Sequence, residues 1–311
     1  MTLHRVYGLT LDTDIPFGPL AGDHGGDVDW TIRWNDDGVD LEAEPAGGRM
    51  VDSDYWPSYR HEHEVTIWAR RHGRFDIDPG RRTIAVALFE RNPDVAALLL
   101  RGVVMSMILE LESLPVLHAN AIDVCGSAIA FTGPQGAGKT TVTTALCAAG
   151  LTLLTDDVVP VERHGGVLCS RSGLTDLRLR PAAAGLLDLF PSNGDPTFSI
   201  DGRTVLQLPP HPAERLPLHS IVVPSPSDDH TGDDRIEPIE RREALAVLLG
   251  AFRVPSFTDQ ALAQARLAIV SAMMHELPIG RLLMPVRPEW NHDDAVGTRA
   301  AVERWHAEVG A

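Results

Sequence analysis

Short stretches of alternating or β-branched apolar residues fill the first third of the chain. Arg5–Leu11, Val28–Trp34, Val65–Arg70 and Thr83–Phe89 each read as a strand, and the pairs Asp37-Gly38, Gly47-Gly48, His72-Gly73 and Pro79-Gly80 punctuate them as turns. Over Pro93–Leu114 the apolar positions become almost continuous, which predicts a buried helix with Asn92 as its N-cap and Pro93 in the first turn. At Leu117 the pattern changes. Ala119–Val124 and Ala128–Phe131 predict two short strands around a turn at Cys125-Gly126-Ser127. A glycine-rich loop follows, then a helix over Lys139–Ala149 closed by Gly150. Strands are expected at Leu151–Leu154, Val158–Arg163, Val167–Cys169, Leu177–Leu179, Ser220–Val223 and Arg281–Val286. Helices are expected at Pro181–Phe190, Arg241–Ala251, Thr258–Glu276 and Asp293–Glu308. Leu208–Pro217 reads as a proline-rich loop, and Pro224–Asp234 as an exposed, mobile acidic loop.

This division predicts two domains: a smaller β-rich one over residues 1–112, ending in the connecting helix, and an α/β domain over 113–311. The 311 residues are 44% apolar and 23% charged, ordinary for a globular protein and against disorder along most of the length. No apolar run reaches the ~18 residues of a membrane span, and the N-terminus lacks a basic stretch followed by an apolar one. Cys125, Cys147 and Cys169 lie far apart with no CxxC, so they read as small buried side chains in a reducing compartment. The expectation is a cytoplasmic protein. A net charge of −16 without a basic run argues against nucleic acid as a partner.

One composition detail singles out a position before any motif does. Lys139 is the only lysine among 27 lysines and arginines. Most surface sites accept either cation, so a retained lysine marks a place where a planar guanidinium does not serve and a slim ammonium does. The surrounding residues agree. Gly133-Pro134-Gln135-Gly136-Ala137-Gly138-Lys139-Thr140 matches GxxxxGK[ST], between a predicted strand and a predicted helix, with Thr141 next. Glycines let backbone N–H groups curl around a phosphate, and the helix start faces the same anion. The lysine reaches the β- and γ-phosphates of a nucleotide such as ATP, and the Thr140 hydroxyl ligates Mg²⁺.

Asp156-Asp157 follows at the far end of the next short strand. If that strand runs parallel to Ala128–Phe131, both carboxylates face the γ-phosphate and its metal. One would ligate Mg²⁺ and the other take the proton of an attacking hydroxyl; Asp156 is assigned as base and Asp157 as metal contact, roles the sequence leaves exchangeable. His118 precedes the first strand of the hairpin, which brings it near Gly133; it reads as a proton carrier, an orienting group or a plain structural histidine. His61-Glu62-His63-Glu64 offers metal-ligating side chains at alternate positions, which on a strand share a face, but a solvated polar strand face accounts for them better.

The segment LHANAIDVCGSAIAFTGPQGAGKTTVTTALCAAGLTLLTDDVVPVE resembles the catalytic core of bacterial HPr kinase/phosphorylase over Leu117 to about Arg180. The resemblance implies a P-loop HPr-kinase-like C-terminal domain. It matches His118 to the active-site histidine, Lys139 and Thr140 to the phosphate and metal contacts, and Asp156 and Asp157 to the catalytic pair. Arg180, in DLRLRP, looks like the arginine of the family's signature stretch, but Pro181-Ala182-Ala183 follows it where the family is glycine-rich. With VYGLTLDTDIPFGPL near the N-terminus, the chain is similar to HPr-kinase-related proteins that tailor lasso peptides by phosphorylating a C-terminal serine. The resemblance implies a kinase that uses ATP and Mg²⁺ on a precursor peptide; charge and hydropathy add the expectation of no nucleic acid and no membrane as partner, and a homo-oligomer stays open. Two other readings stand beside it: a kinase of a small hydroxylated metabolite such as free serine, and a nucleotide-binding regulator that transfers nothing.

Overall fold

The computed structural model describes residues 2–17, 27–35, 37–190, 197–254, 257 and 259–309. The end of the Val6–Leu20 segment, from Gly18, and the expected helix start at Thr258 lie outside them. The chain divides into two compact units, Met1–Val116 with Arg253–Leu267, and Leu117–Phe252 with Ala268–Ala311. The first unit thus takes in a segment that a contiguous division at residue 112 leaves to the second.

The first unit is built on eight strands: β1 (Thr2–Val6), β2 (Leu9–Thr13), β3 (Trp30–Trp34), β4 (Gly48–Val51), β5 (Ser58–His61), β6 (Glu64–Ala69), β7 (Gly73–Asp78) and β8 (Thr83–Leu88). They form one sheet in the order β1-β2-β3-β8-β7-β6-β5-β4. The single strand expected at Arg5–Leu11 is instead a hairpin, turned at Tyr7 and Gly8 with φ of 53° and 74°. The helix expected at Pro93–Leu114 forms in three parts: α1 (Pro93–Leu99), a π-helical turn over Leu100–Val104, and α2 (Met105–Leu111). Asn92 caps it as expected, its Oδ1 accepting from the amides of Asp94 and Val95. The buried Glu110 carboxylate receives Arg266 Nη2 at 2.6 Å and the Val116 amide at 3.1 Å. Burial raises the Glu110 pKa, and Arg266 opposes that shift.

His61-Glu62-His63-Glu64 is not a strand face. It is the turn from β5 to β6, with His61 opposite Glu64 and Glu62 at φ 55°. His63, Glu64 and Asp78 there bring one potential ligand atom each within 4.8 Å of one another.

The second unit is mixed α/β. Its strands are β9 (Val116–Leu117), β10 (Ala119–Val124), β11 (Ser127–Thr132), β12 (Thr152–Thr155), β13 (Val159–His164), β14 (Val167–Arg171), β15 (Asp176–Leu179), β16 (Thr197–Phe198), β17 (Thr204–Gln207), β18 (Arg215–Ser227), β19 (Arg235–Pro238) and β20 (Ile279–Pro285). Its helices are α3 (Lys139–Ala148), α4 (Arg241–Gly250), α5 (Gln260–Glu276, whose first half is counted with the first unit) and α6 (His292–Val309). The main sheet runs β12-β10-β11-β18-β14-β13-β9, and β20 continues from β18 to β19. A small sheet, β15-β17-β16, stands beside it, and the expected helix after β15 is a 3₁₀ helix over Pro181–Leu189.

Alternation sorts the two faces of the main sheet. Ala119, Ala121, Ala128 and Ala130 pack with Leu248 of α4 and with Val270 and Met273 of α5. Ile122, Val124, Ile129 and Phe131 pack with Val142 and Leu146 of α3 and with Val302 and Trp305 of α6. Small side chains on one face and large ones on the other put helices on both sides of a partly parallel sheet.

Two expectations fail here. Cys125 is exposed, because it sits in the β10–β11 turn at φ 53°. Pro224–Asp234 is not a free loop throughout: Pro224–Ser227 belongs to β18, paired with Leu282–Pro285 of β20. At the other end Asp234 is buried and accepts from Arg287 Nη2 at 2.7 Å and Thr298 Oγ1 at 2.5 Å. No helix among the described residues is long and apolar enough to cross a membrane.

Candidate functional site

Three segments reach one edge of the main sheet. β10 and β11 are an antiparallel hairpin with Ala119 opposite Thr132. β12 lies antiparallel to β10, with Ala121 opposite Thr155. β12 therefore points the same way as β11, with β10 between them, and the carboxyl ends of both strands meet the amino end of β10. In open α/β sheets this edge is where ligands bind. The 133–138 loop, His118 and Asp156-Asp157 all lie there.

The loop joins β11 to α3 through Gly133, Gly136 and Gly138, at φ of 142°, 89° and 93°. A Cβ on Gly136 or Gly138 would meet nothing within 4 Å, so conformation, not space, requires glycine at these two positions. Gly138 is also the N-cap of α3 and brings no side-chain acceptor to the first-turn amides. Lys139 is 8% exposed, and its Nζ donates to the carbonyl oxygens of Gly133 at 2.8 Å and Pro134 at 3.4 Å. Pro134, Gln135 and Gly136 are exposed at the tip; Ala137, Thr140 and Thr141 are half-buried. Backbone N–H groups, the positive end of a helix and an ammonium group thus belong to one short loop, a donor set whose chemistry fits a polyphosphate.

The two aspartates do different things. Asp156 is 8% exposed; its amide donates to Leu174 O at 2.8 Å and its carbonyl accepts from Val158 at 2.7 Å. Its negative charge adds to burial in pushing the Cys147 thiol up to about 12. Asp157 stands at φ 63°, and its Oδ1 lies 2.8 Å from Nδ1 of His118, each side chain 36% exposed. His118 itself is held through its backbone: its amide donates to Ala251 O at 2.6 Å, and its carbonyl accepts from Thr132 Oγ1 at 3.2 Å. Arg180 follows β15 as the N-cap residue of the 3₁₀ helix and is exposed.

Sequence reasoning passed over Asn120 and Thr143. Asn120 is 2% exposed in the middle of the site; its Nδ2 donates to Thr143 Oγ1 at 2.9 Å, and its Oδ1 accepts from the Asp157 amide at 3.3 Å. Thr143 Oγ1 in turn donates to Lys139 O at 3.0 Å or Thr140 O at 3.2 Å. The one available signal was a polar residue inside the apolar run Ala119–Ile122.

No protein-family model matches the chain, and no curated protein matches it. Among solved structures it is similar to the Hpr(Ser) kinase/phosphatase from Coxiella burnetii, at 14% identity over 63% of this chain and 99% of that chain, with a TM-score of 0.31.

Proposed function

We propose that this chain is a kinase that transfers the γ-phosphoryl group of ATP, with Mg²⁺, to a serine hydroxyl, and that the serine ends a ribosomally made precursor peptide. The observation that carries the reading is the shared sheet edge: a loop suited to phosphate and a carboxylate–histidine pair stand at the same end of neighbouring strands. A nucleotide-binding regulator needs the first and has no use for the second. The amides of the 133–138 loop, Lys139, Thr140 and Thr141 would hold the phosphates, and Thr140 and one aspartate would hold the metal ion. When bound there, Mg²⁺ would supply neutralisation of the phosphate charge.

The geometry favours exchanging the two aspartate roles assigned on sequence. Asp157, half-exposed beside His118, is placed to accept the hydroxyl proton, and the imidazole holds the carboxylate in orientation. Asp156, turned inward, suits the metal contact. Lys139 stabilises charge on the phosphoryl oxygens as they pass to the acceptor. The peptide acceptor and any part for Arg180 rest on the sequence resemblance.

The test is phosphoryl transfer from γ-labelled ATP to three acceptors: short peptides ending in serine, the same peptides ending in alanine, and free serine. Phosphoserine formed only on the first set supports the reading. Label on free serine alone moves the protein to the metabolite kinases. Nucleotide binding without any transfer leaves a regulator.

A further inference from the structure

We propose that Asn120 is a positioning residue that ties the loop-bearing helix α3 to the acid turn, holding Asp157 in the orientation that phosphoryl transfer needs. The inference rests on the kinase reading for its consequence and on the hydrogen bonds for its geometry.

Position 120 lies on the helix-facing side of β10, in register with Ile122 and Val124, which are packed in the apolar layer beneath α3. Packing alone asks for an apolar side chain there. A buried amide costs free energy unless each polar end is bonded. Asn120 meets that condition with two partners on different elements: Thr143 of α3 and the backbone of Asp157. An amide does both at once, because its NH₂ donates at one end and its carbonyl oxygen accepts at the other. Aspartate would lose the donor and bury a charge; leucine would lose both bonds.

The Asp157 end explains why the bond is needed. A non-glycine residue at φ 63° is strained and persists only where its surroundings hold it. Asn120 gives the Asp157 amide its acceptor, which fixes the turn that points the carboxylate at His118. The other end reaches the phosphate lysine: Asp157 N–H to Asn120, Asn120 to Thr143 Oγ1, and Thr143 to the carbonyl of Lys139 or Thr140. The same short chain of hydrogen bonds joins the residue that grips phosphate to the residue that accepts a proton. Thr143 is fully buried one helical turn beyond Lys139, and its hydroxyl is engaged with Asn120 and the helix backbone.

The test uses the full chain, Asn120→Ala, Thr143→Val and the double variant. Exchange of the Asp157 amide proton, followed by NMR, reads the tie directly. We expect Asn120→Ala to speed that exchange at least tenfold. Adding a non-hydrolysable ATP analogue with Mg²⁺ should slow it in the wild type and not in the variant. In transfer assays kcat should fall about 10- to 100-fold, with acceptor KM and analogue affinity within about twofold of wild type. Thr143→Val should lose less, and the double variant no more than Asn120→Ala alone, as expected for one coupled chain. Unchanged Asp157 exchange in Asn120→Ala overturns the proposal, as does a loss carried wholly by nucleotide affinity or thermal midpoint. If the wild type transfers to no acceptor, the kinase reading falls by itself, and the two exchange measurements still decide the tie.

Discussion

A buried lysine needs a reason, and Lys139 has carbonyl oxygens around its ammonium group and a helix start beside it. Lys139→Arg preserves charge but puts a wide, planar group into a loop formed around a thin stem. The variant should fold with an unchanged far-ultraviolet spectrum and lose transfer; full activity would show that the retained lysine is an accident of composition. Asp156→Asn and Asp157→Asn should each lower kcat about 10²–10⁴-fold. Of the two, Asp156→Asn should also weaken the dependence on Mg²⁺, measured as the metal concentration at half-maximal rate. The cysteines make a simpler check. Cys147, whose pKa is pushed up to about 12, should resist a thiol reagent at pH 8 that modifies exposed Cys125 within minutes. Much of this site is legible in the chain: spacing alone brings out Lys139, the acid pair and the hairpin that delivers His118. Asn120 is not, because an asparagine in a short apolar strand has no motif around it, and its partners come from a helix and a turn that only the fold brings together.

Strand β18 shows why elements with several prolines are misread. Pro217, Pro224 and Pro226 suggest loops at both ends of a four-residue strand, whereas the strand has 13 residues. It changes partners along its length: β14 beside Arg215–Pro217, β11 beside Leu218–Val222 and β20 beside Ile221–Ser227. The prolines fall where only one neighbour is paired, so the missing N–H groups cost no ladder bond on the other side. The acidic stretch after it is anchored by Asp234. Removing that carboxylate takes one of two counter-charges from Arg287, whose side chain is 12% exposed, and leaves Asp294 Oδ1 at 3.0 Å from its Nε. Asp234→Ala should cost about 1–3 kcal/mol in denaturant titration, the range for losing hydrogen bonds to a buried charged group, and limited proteolysis should cut within residues 228–233 and spare the β18 segment. A second pair ties β18 to α6. The rings of His219 and His306 stack with centroids 4.1 Å apart, and the His219 pKa is lowered by burial and then by His306. A histidine with a depressed folded pKa binds fewer protons folded than unfolded, so stability falls as pH drops below its ordinary 6.5. His219→Phe should flatten the stability profile between pH 6.5 and 5; an unchanged slope would mean other groups set it.

At the scale of the whole chain, a net charge of −16 is a standing repulsion. Raising ionic strength from about 0.01 to about 0.15 M shortens the screening length from roughly 30 to roughly 8 Å. The thermal midpoint should rise with added NaCl, and by a similar amount with KCl if screening and not a specific ion is responsible. The division into a β-rich and an α/β part follows from period and turn signals, but the return of residues 253–267 to the first unit does not. That return brings together residues far apart in sequence, among them the buried Glu110–Arg266 pair and the Arg60–Asp259 pair. The strands β4, β5 and β7 escaped notice for a related reason: each begins at or near residues that read as turn formers, and pairing with a neighbour overrides that local preference.

The partner changes along β18 also bear on time. Its central residues pair with β11, made long before them, and with β20, made well after. During synthesis the backbone edge of β11 must therefore wait, without a strand on that side, until Leu218–Val222 of β18 arrive. Loops of that length close slowly, so the second unit should refold over milliseconds to seconds, not microseconds. Once closed, the amides of Ile221 and Val222, paired on both sides, should be the last in that unit to exchange, opening only with its global unfolding.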